Sequence, residues 1–408
     1  MTAGRRVVVT GFGLASALGN TPDRFWCRLL AGESGFRPIS RFDPARHKSR
    51  LAAEADDRDL HFGKGALAFE LARMASFVRF AVHAGEAALE GAGLEPVREA
   101  ADRGLIAVGA AMGGLPNIEA GVLRQEDRGP GKTTPFLIPS LIPGMAAGML
   151  ALRPGFQGPQ QTLGGACAAG RLAIAHLFQA IRRGDCDWGL AGGAEAVTTP
   201  ITFSGFEAMN ALSLASGPDG APRPFDRRRD GFMVGEGAAL LVLEEWGRAR
   251  ARGAPVLGEI LGAASVTGGT DIVTPDAASA DRSMRLALAD AGREAGEIGG
   301  LFAQGSGVVR GDAAELEAVA RLLPRVAVTS IKAQVGYTFA ANGPLSLVAA
   351  LMSLQNGVLP GIPTFESPDP DSPDLRILAA PRTCPLRTCM VNAHGFGGVH
   401  STLVVGRT

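Results

Sequence analysis

Two segments decide the fold: GRLAIAHLFQAIRRG over residues 170–184 and GPLSLVAALMSLQNG over residues 343–357. They align without a gap from Gly170/Gly343 to Gly184/Gly357, and their apolar positions coincide at Leu172/Leu345, Ile174/Leu347, Phe178/Leu351 and Ile181/Leu354. Unrelated amphipathic helices can share a 3.6-residue rhythm, but equal length and matching glycine punctuation point to an internal duplication. Around these segments, strand-like and helix-like runs alternate. Arg6–Thr10, Leu105–Ala111, Gln160–Gly164, Trp188–Gly193 and Ala238–Glu244 read as buried strands, the first closed by a glycine-rich turn. Pro22–Leu30, Ala66–Ala92 and Arg171–Arg183 read as helices. The pattern predicts an α/β protein of two similar halves, residues 1–252 and 253–408, meeting where Arg248–Pro255 reads as a helix end and connector.

The first copy is preceded by GGACAAG over residues 164–170. Small residues permit a sharp strand-to-helix turn there, and a helix N-terminus favours a thiolate, so Cys167 reads as a nucleophile. The bulk properties suit a globular enzyme, with 46% hydrophobic and 20% charged residues in 408. Lys+Arg and Asp+Glu are both 40, which argues against a general role on nucleic acid or an anionic membrane. Five cysteines in so long a chain make no disulfide framework and suggest reduced thiols and a cytoplasmic location. Residues 1–19 imitate a secretory leader, yet the apolar run is short and holds Gly11 and Gly13, so a first buried strand is the better reading. No uninterrupted apolar stretch has the length of a bilayer span, which predicts no membrane insertion.

Several co-linear motifs carry a resemblance. VVVTGFG (7–13), GFQGP (155–159), the turn at Cys167, RPFDRRRDGF (223–232) leading into GEG (235–237), and GFGG (395–398) occur in order. Together they make the chain resemble, essentially end to end, the β-ketoacyl-[acyl carrier protein] synthases, the elongating ketosynthases of fatty-acid and type II polyketide synthesis. The resemblance implies the thiolase fold, two duplicated halves in five α-β-α-β-α layers. It implies that Cys167 takes an acyl chain from the phosphopantetheine of an acyl carrier protein, with no cofactor or metal of its own. The N–H groups of Cys167 and Phe396 would form the oxyanion hole, and Phe396 would also gate the site. Lys332 matches the active-site lysine, and Asp312 and Glu315 its structural acidic residues. Ser306 keeps a hydroxyl for the pantetheine arm, Val308 replaces a second one, and Gly397 stands with Phe396 on the substrate-binding loop.

Two catalytic positions depart from the family. Where it has its catalytic histidines, this chain reads Gln304 in Ala303–Ser306 and Tyr337 in Val335–Tyr337. Both can donate a hydrogen bond, but neither carries a cationic proton at neutral pH. Acyl transfer needs a thiolate and oxyanion donors, whereas decarboxylation needs donors that hold a developing enolate. The expectation is therefore an acyltransferase of this family with impaired or absent condensation. A non-catalytic, chain-length-factor-like partner of an active ketosynthase is a second reading, and ordinary condensation with altered donors a third. A homodimer or a heterodimer is implied accordingly. The helix that offers cations to the acidic carrier reads Glu70–Phe77 and leaves Arg73, and Asn210 stands where a basic residue is common.

Of the six histidines, His394 and His400 flank the Gly395–Gly398 loop, at places where the family has Phe and Asn; a relocated base is one reading, and satisfaction by loop backbone is the expected one. His176 follows Cys167 on its helix, while His47, His61 and His83 lie outside any motif. Gly131-Lys132-Thr133 lacks the glycine a phosphate loop needs, Gly11-Phe12-Gly13 lacks the third glycine of a dinucleotide fingerprint, and Cys384/Cys389 have no partners at zinc spacing. Arg223–Arg229 alternates with acids and reads as an ion-paired loop.

Overall fold

The computed structural model describes residues 4–58, 60, 62, 66–95, 101–152, 156–215, 220–268 and 271–408, so His61 and Gly155 lie outside it. Strand β1 (Val7–Ser16) does not stop at Thr10 but runs on through Gly11 and Gly13. These glycines are strand residues beneath a helix, α1 (Ser76–Gly91). A Cβ on Gly11 would lie 2.2 Å from the carbonyl oxygen of Ala88, and one on Gly13 2.2 Å from that of Ala84. Close approach of a helix, rather than a turn, is what requires glycine here. The single helix expected over Ala66–Ala92 is divided into Ala66–Leu71 and α1. Ala75 is extended at ψ 151°, and its carbonyl accepts from Val78 and Arg79 to start the second helix.

Beyond α1 come β2 (Gly104–Gly109), β3 (Gln160–Leu163), α2 (Ala169–Arg183), β4 (Trp188–Glu195) and β5 (Gly237–Glu245). They assemble in the order β1-β5-β4-β2-β3, the first two pairings antiparallel and the last two parallel. The chain then repeats itself with β6 (Gly258–Thr267), α3 (Ala277–Ala291), β7 (Gly300–Phe302), α4 (Val309–Leu322), β8 (Ala327–Thr329) and α5 (Asn342–Asn356). A short edge strand β9 (Arg376–Ile377) and the hairpin β10 (Thr388–Gly395) and β11 (Val399–Gly406) follow. Their order, β6-β11-β10-β7-β8, has the same alternation of antiparallel and parallel pairs. Val7–Val9 pair with Gly258–Ile260 and join the two sheets at β1 and β6.

The duplicated segments are α2 and α5, side by side between the sheets. Of their eight matched apolar positions, all but Leu172 are buried, each stabilising the interior by roughly 1.5–3 kcal/mol. The glycines that punctuate them, Gly184 (φ 86°) and Gly357 (φ 67°), are left-handed C-caps, a conformation that strains other residues. Helix α1 covers the outer face of the first sheet, and α3 and α4 that of the second. The result is the five-layer α-β-α-β-α arrangement of the thiolase fold. Arg171, fully buried on α2, crosses between the halves and donates to the Val391 carbonyl of β10. Its Nε and Nη2 have no hydrogen-bond partner. The Arg223–Arg229 loop is ion-paired, with Arg223 and Arg228 on Glu366, and Arg229 on Asp369. No helix among the described residues is long and apolar enough to cross a membrane.

Candidate active site

The chain leaves β3 through Gly165 (φ 147°) and Ala166 (φ 48°), makes one 3-10 turn over Ala166–Ala168, and enters α2. A positive φ at a non-glycine residue is strained, and it places Cys167 at the wall of a cavity between the two halves. Cys167 is 7% exposed. Tyr337 reaches the sulfur from the second half. Its backbone is fixed by Tyr337 N–H to the Met233 carbonyl (2.8 Å) and Gly235 N–H to the Tyr337 carbonyl (3.0 Å). Its ring packs 4.6 Å from Phe232 and 5.3 Å from Phe339. The Tyr337 side chain packs in one cluster with Cys167, where its hydroxyl favours the thiolate, and that hydroxyl accepts from Gln304 Nε2 at 2.9 Å. The second N–H of that amide donates to the His394 carbonyl at 3.2 Å, while Gln304 Oε1 is buried without a partner.

Burial pushes the Cys167 thiol up to about 12, against the Tyr337 hydroxyl; the nearby Glu195 carboxylate adds to the rise and Lys332 opposes it. The thiolate expected from the helix N-terminus is therefore not the resting form. Desolvation of a buried sulfur outweighs the end of one helix dipole. Burial likewise raises Tyr337 well above the usual phenol range. Glu195, at the end of β4, accepts from the amides of Ala111 and Gly113 at 2.8 Å each; burial nevertheless pushes it up to about 7.

The loop bearing Gln304 is clamped by two carboxylates one turn apart on α4. Glu315 accepts from Gln304 N and Gly305 N at 2.9 Å and from Asn392 Nδ2 at 3.0 Å. Burial works to raise it, but His394 and these amides outweigh burial and hold it near 2. Asp312 accepts from Phe225 N at 2.8 Å and Ser306 N at 2.9 Å, and burial pushes it up to about 6. Lys332 stands behind this loop with Nζ 3.4 Å from the Ala303 carbonyl, and burial lowers it to about 8. The cavity wall includes Cys167, Gln304, Tyr337, Ser306, Val308 and Phe396, the last 37% exposed. Lys332 and Gly397 are not on it; the Gly397 N–H is spent on the Ile272 carbonyl (2.8 Å).

The environment expected for His394 and His400 is not the one the structure shows. Neither is satisfied by loop backbone. They are directly opposite each other in the β10–β11 ladder, whose backbone groups bond to each other. Their rings lie 4.5 Å apart, buried, and no ring nitrogen has a hydrogen-bond partner. His394 Nε2 is 3.5 Å from Glu315 Oε1, and His400 Nε2 is 3.9 Å from Asp276 Oδ2. Burial, reinforced by His394, pushes His400 down to about 4. His394 lines the same cavity as Cys167, as do Phe206 and Phe232. Two-residue alternation on either side of Gly395–Gly398 was the signal that could have turned both histidines inward. Among the described residues no His/Cys/Asp/Glu group is arranged to hold a metal ion.

A thiolase fold that seats a buried cysteine on a strained turn, facing residues from both halves, defines a thioester-handling class of protein. The chain belongs to the β-ketoacyl synthase family: residues 4–249 match its N-terminal domain and residues 257–366 its C-terminal domain. It is 36% identical to 3-oxoacyl-[acyl-carrier-protein] synthase 2 of Vibrio cholerae, over 99% of each chain. The ishigamide ketosynthase/chain length factor superposes with a TM-score of 0.92 at 31% identity, covering 100% of both chains. A type II PKS acyl-carrier protein in complex with its ketosynthase bound to the hexaketide gives 0.90 at 27% identity, covering 99% of this chain and 100% of that one. This is a ketosynthase-family protein of fatty-acid or polyketide synthesis.

Proposed function

We propose that the chain is an acyltransferase of ketosynthase type, in which Cys167 takes an acyl group from the phosphopantetheine of an acyl carrier protein and decarboxylative condensation is impaired or absent. One observation carries this reading. Both N–H groups of Gln304 are spent, on Tyr337 and on the His394 carbonyl, and the Tyr337 hydroxyl is placed to relieve a charge on the sulfur. The nucleophile keeps its donor, while neither side chain has one left for a thioester enolate. Loss of one such donor typically costs about 100- to 1000-fold in rate. In the proposed reaction the Cys167 thiolate attacks the carrier thioester, the N–H groups of Cys167 and Phe396 hold the oxyanion, and the arm passes Phe396 with Ser306 as its polar contact. The carrier approaches a surface whose cation, Arg73, lies 3.4 Å over the Phe69 ring. The working form is a dimer, with a second copy or with an active ketosynthase.

A second reading, a chain-length-factor-like partner, draws support from the likeness to a ketosynthase/chain length factor and from a thiol that rests protonated. Intact-mass measurement after incubation with acyl-carrier protein separates the two. The expected result is one acyl adduct, absent in Cys167→Ala, with carbon dioxide release from malonyl-carrier protein at least 100-fold slower than that of an active ketosynthase. No adduct, together with no reaction toward iodoacetamide, would transfer the conclusion to the partner reading. Rapid carbon dioxide release would establish ordinary condensation instead.

A further inference from the structure

We propose that His394, positioned by Glu315, is the base that takes the proton of Cys167, so that nucleophile, imidazole and carboxylate form a catalytic set spanning both halves. The inference rests on acyl transfer at Cys167 as the protein's chemistry. The enclosed thiol must lose a proton before it can attack, and the groups around it narrow the choice of acceptor. Gln304 is an amide and does not titrate usefully. Tyr337 packs with Cys167, and its burial makes its oxygen no proton acceptor at neutral pH. Lys332 is off the cavity wall and directed at the Ala303 carbonyl. Glu195 is also off the wall, with its oxygens on the amides of residues 111–113. Asp312 lines the cavity but is occupied by the amides of Phe225, Ser306 and Gly307.

His394 differs from all of these. It lines the cavity with Cys167, is 5% exposed, and keeps its Nδ1 without a hydrogen-bond partner. Its strand abuts the nucleophile turn: a Cβ on the next residue, Gly395, would lie 3.2 Å from both Cys167 N and Ala168 N. Nε2 faces Glu315 at 3.5 Å, which leaves Nδ1 available. Glu315 is itself fixed by two loop amides and Asn392, so it orients the ring as the third group of a catalytic triad orients its base. The His400 ring packs against it at 4.5 Å, tilted by 59°, with Asp276 3.9 Å from His400 Nε2.

The step balances without an external reactant. The thiol proton moves to His394, and the sulfur attacks the acyl carbonyl. The new C–S bond forms as the bond to the carrier's pantetheine sulfur breaks, and the departing thiolate takes the proton back from the imidazolium.

The test follows the pH dependence of Cys167 alkylation by iodoacetamide in the full chain, beside acylation by octanoyl-N-acetylcysteamine, for wild type, His394→Phe and His394→Ala. Both substitutions should slow both reactions at pH 7.5 by about 100-fold, the lower range of general-base contributions. Added imidazole should restore His394→Ala, an effect that a packing role would not produce. Superimposable wild-type and His394→Phe profiles, or a loss that imidazole fails to restore in His394→Ala, would overturn the assignment. So would a wild-type thiol inert to iodoacetamide. His394-dependent alkylation without acylation would preserve the base and remove the acyl-transfer reading; acylation unaffected by His394→Phe would do the reverse.

Discussion

At Cys167 two opposing influences meet, burial that holds the proton on the sulfur and a hydroxyl that relieves the charge once the proton is gone. Tyr337→Phe removes only the second. A hydrogen bond to a charged group contributes about 1.5–3 kcal/mol, so alkylation of Cys167 at pH 8 should fall by about 10- to 100-fold with the fold unchanged. Stopped-time mass spectrometry reads the rate, and an unchanged rate would show that the tyrosine does not serve the thiolate. The cysteine was legible in the sequence because glycines and alanines before an amphipathic helix allow little other than a sharp turn. Its protonation was not, since desolvation depends on what encloses the sulfur, and Tyr337 and the β10 strand come from far along the chain. His394 was obscured for a related reason. Its glycine-rich neighbours read as loop, and only the opposed pairing with His400 shows two side chains turned into the interior.

Among the elements, the contact between β1 and α1 is the least tolerant. The helix presents Ala84, Ala87 and Ala88 to Gly11 and Gly13, and backbone rather than flexible side chain blocks any added atom. Gly13→Ala should cost about 3 kcal/mol or more, at or above the upper end of ordinary overpacking. The denaturant midpoint measures it; a loss below about 1 kcal/mol would mean that the helix can shift outward. Here the sequence reading was right about the presence of a first strand and wrong about its length. Glycine marks a close approach as readily as a turn, and one sequence does not distinguish them. The helix at Pro22–Leu30 was placed correctly, with Thr21 as its cap and proline at its first turn. The break at Ala75 carries no such punctuation.

Across the whole molecule, Arg171 carries a charge from the first half into the layer between the sheets, where a carbonyl of the second half holds it. Burial pushes its guanidinium down to about 9. For a base depressed on folding, the stability available above its ordinary pKa is lost as pH falls through the folded value, so at pH 7 the molecule bears the full cost. Arg171→Met should therefore leave the melting temperature unchanged or raise it, by up to about 2 kcal/mol of stability, in keeping with apolar replacement of buried charges. Calorimetry decides, and a marked fall would show that the arginine has a compensating partner. The duplication that creates this central layer was the most legible feature of the chain, because spacing and caps survive where side-chain chemistry has diverged. It also supplies a comparison inside one molecule. The register that pairs Gly170 with Gly343 pairs Cys167 with Ala340, and Ala166 (φ 48°) with Phe339 (φ 47°). The second elbow is as strained as the first and carries no nucleophile. Strain at this turn is thus common to both halves and does not depend on the cysteine, and Ala340 marks a vacant counterpart of the seat.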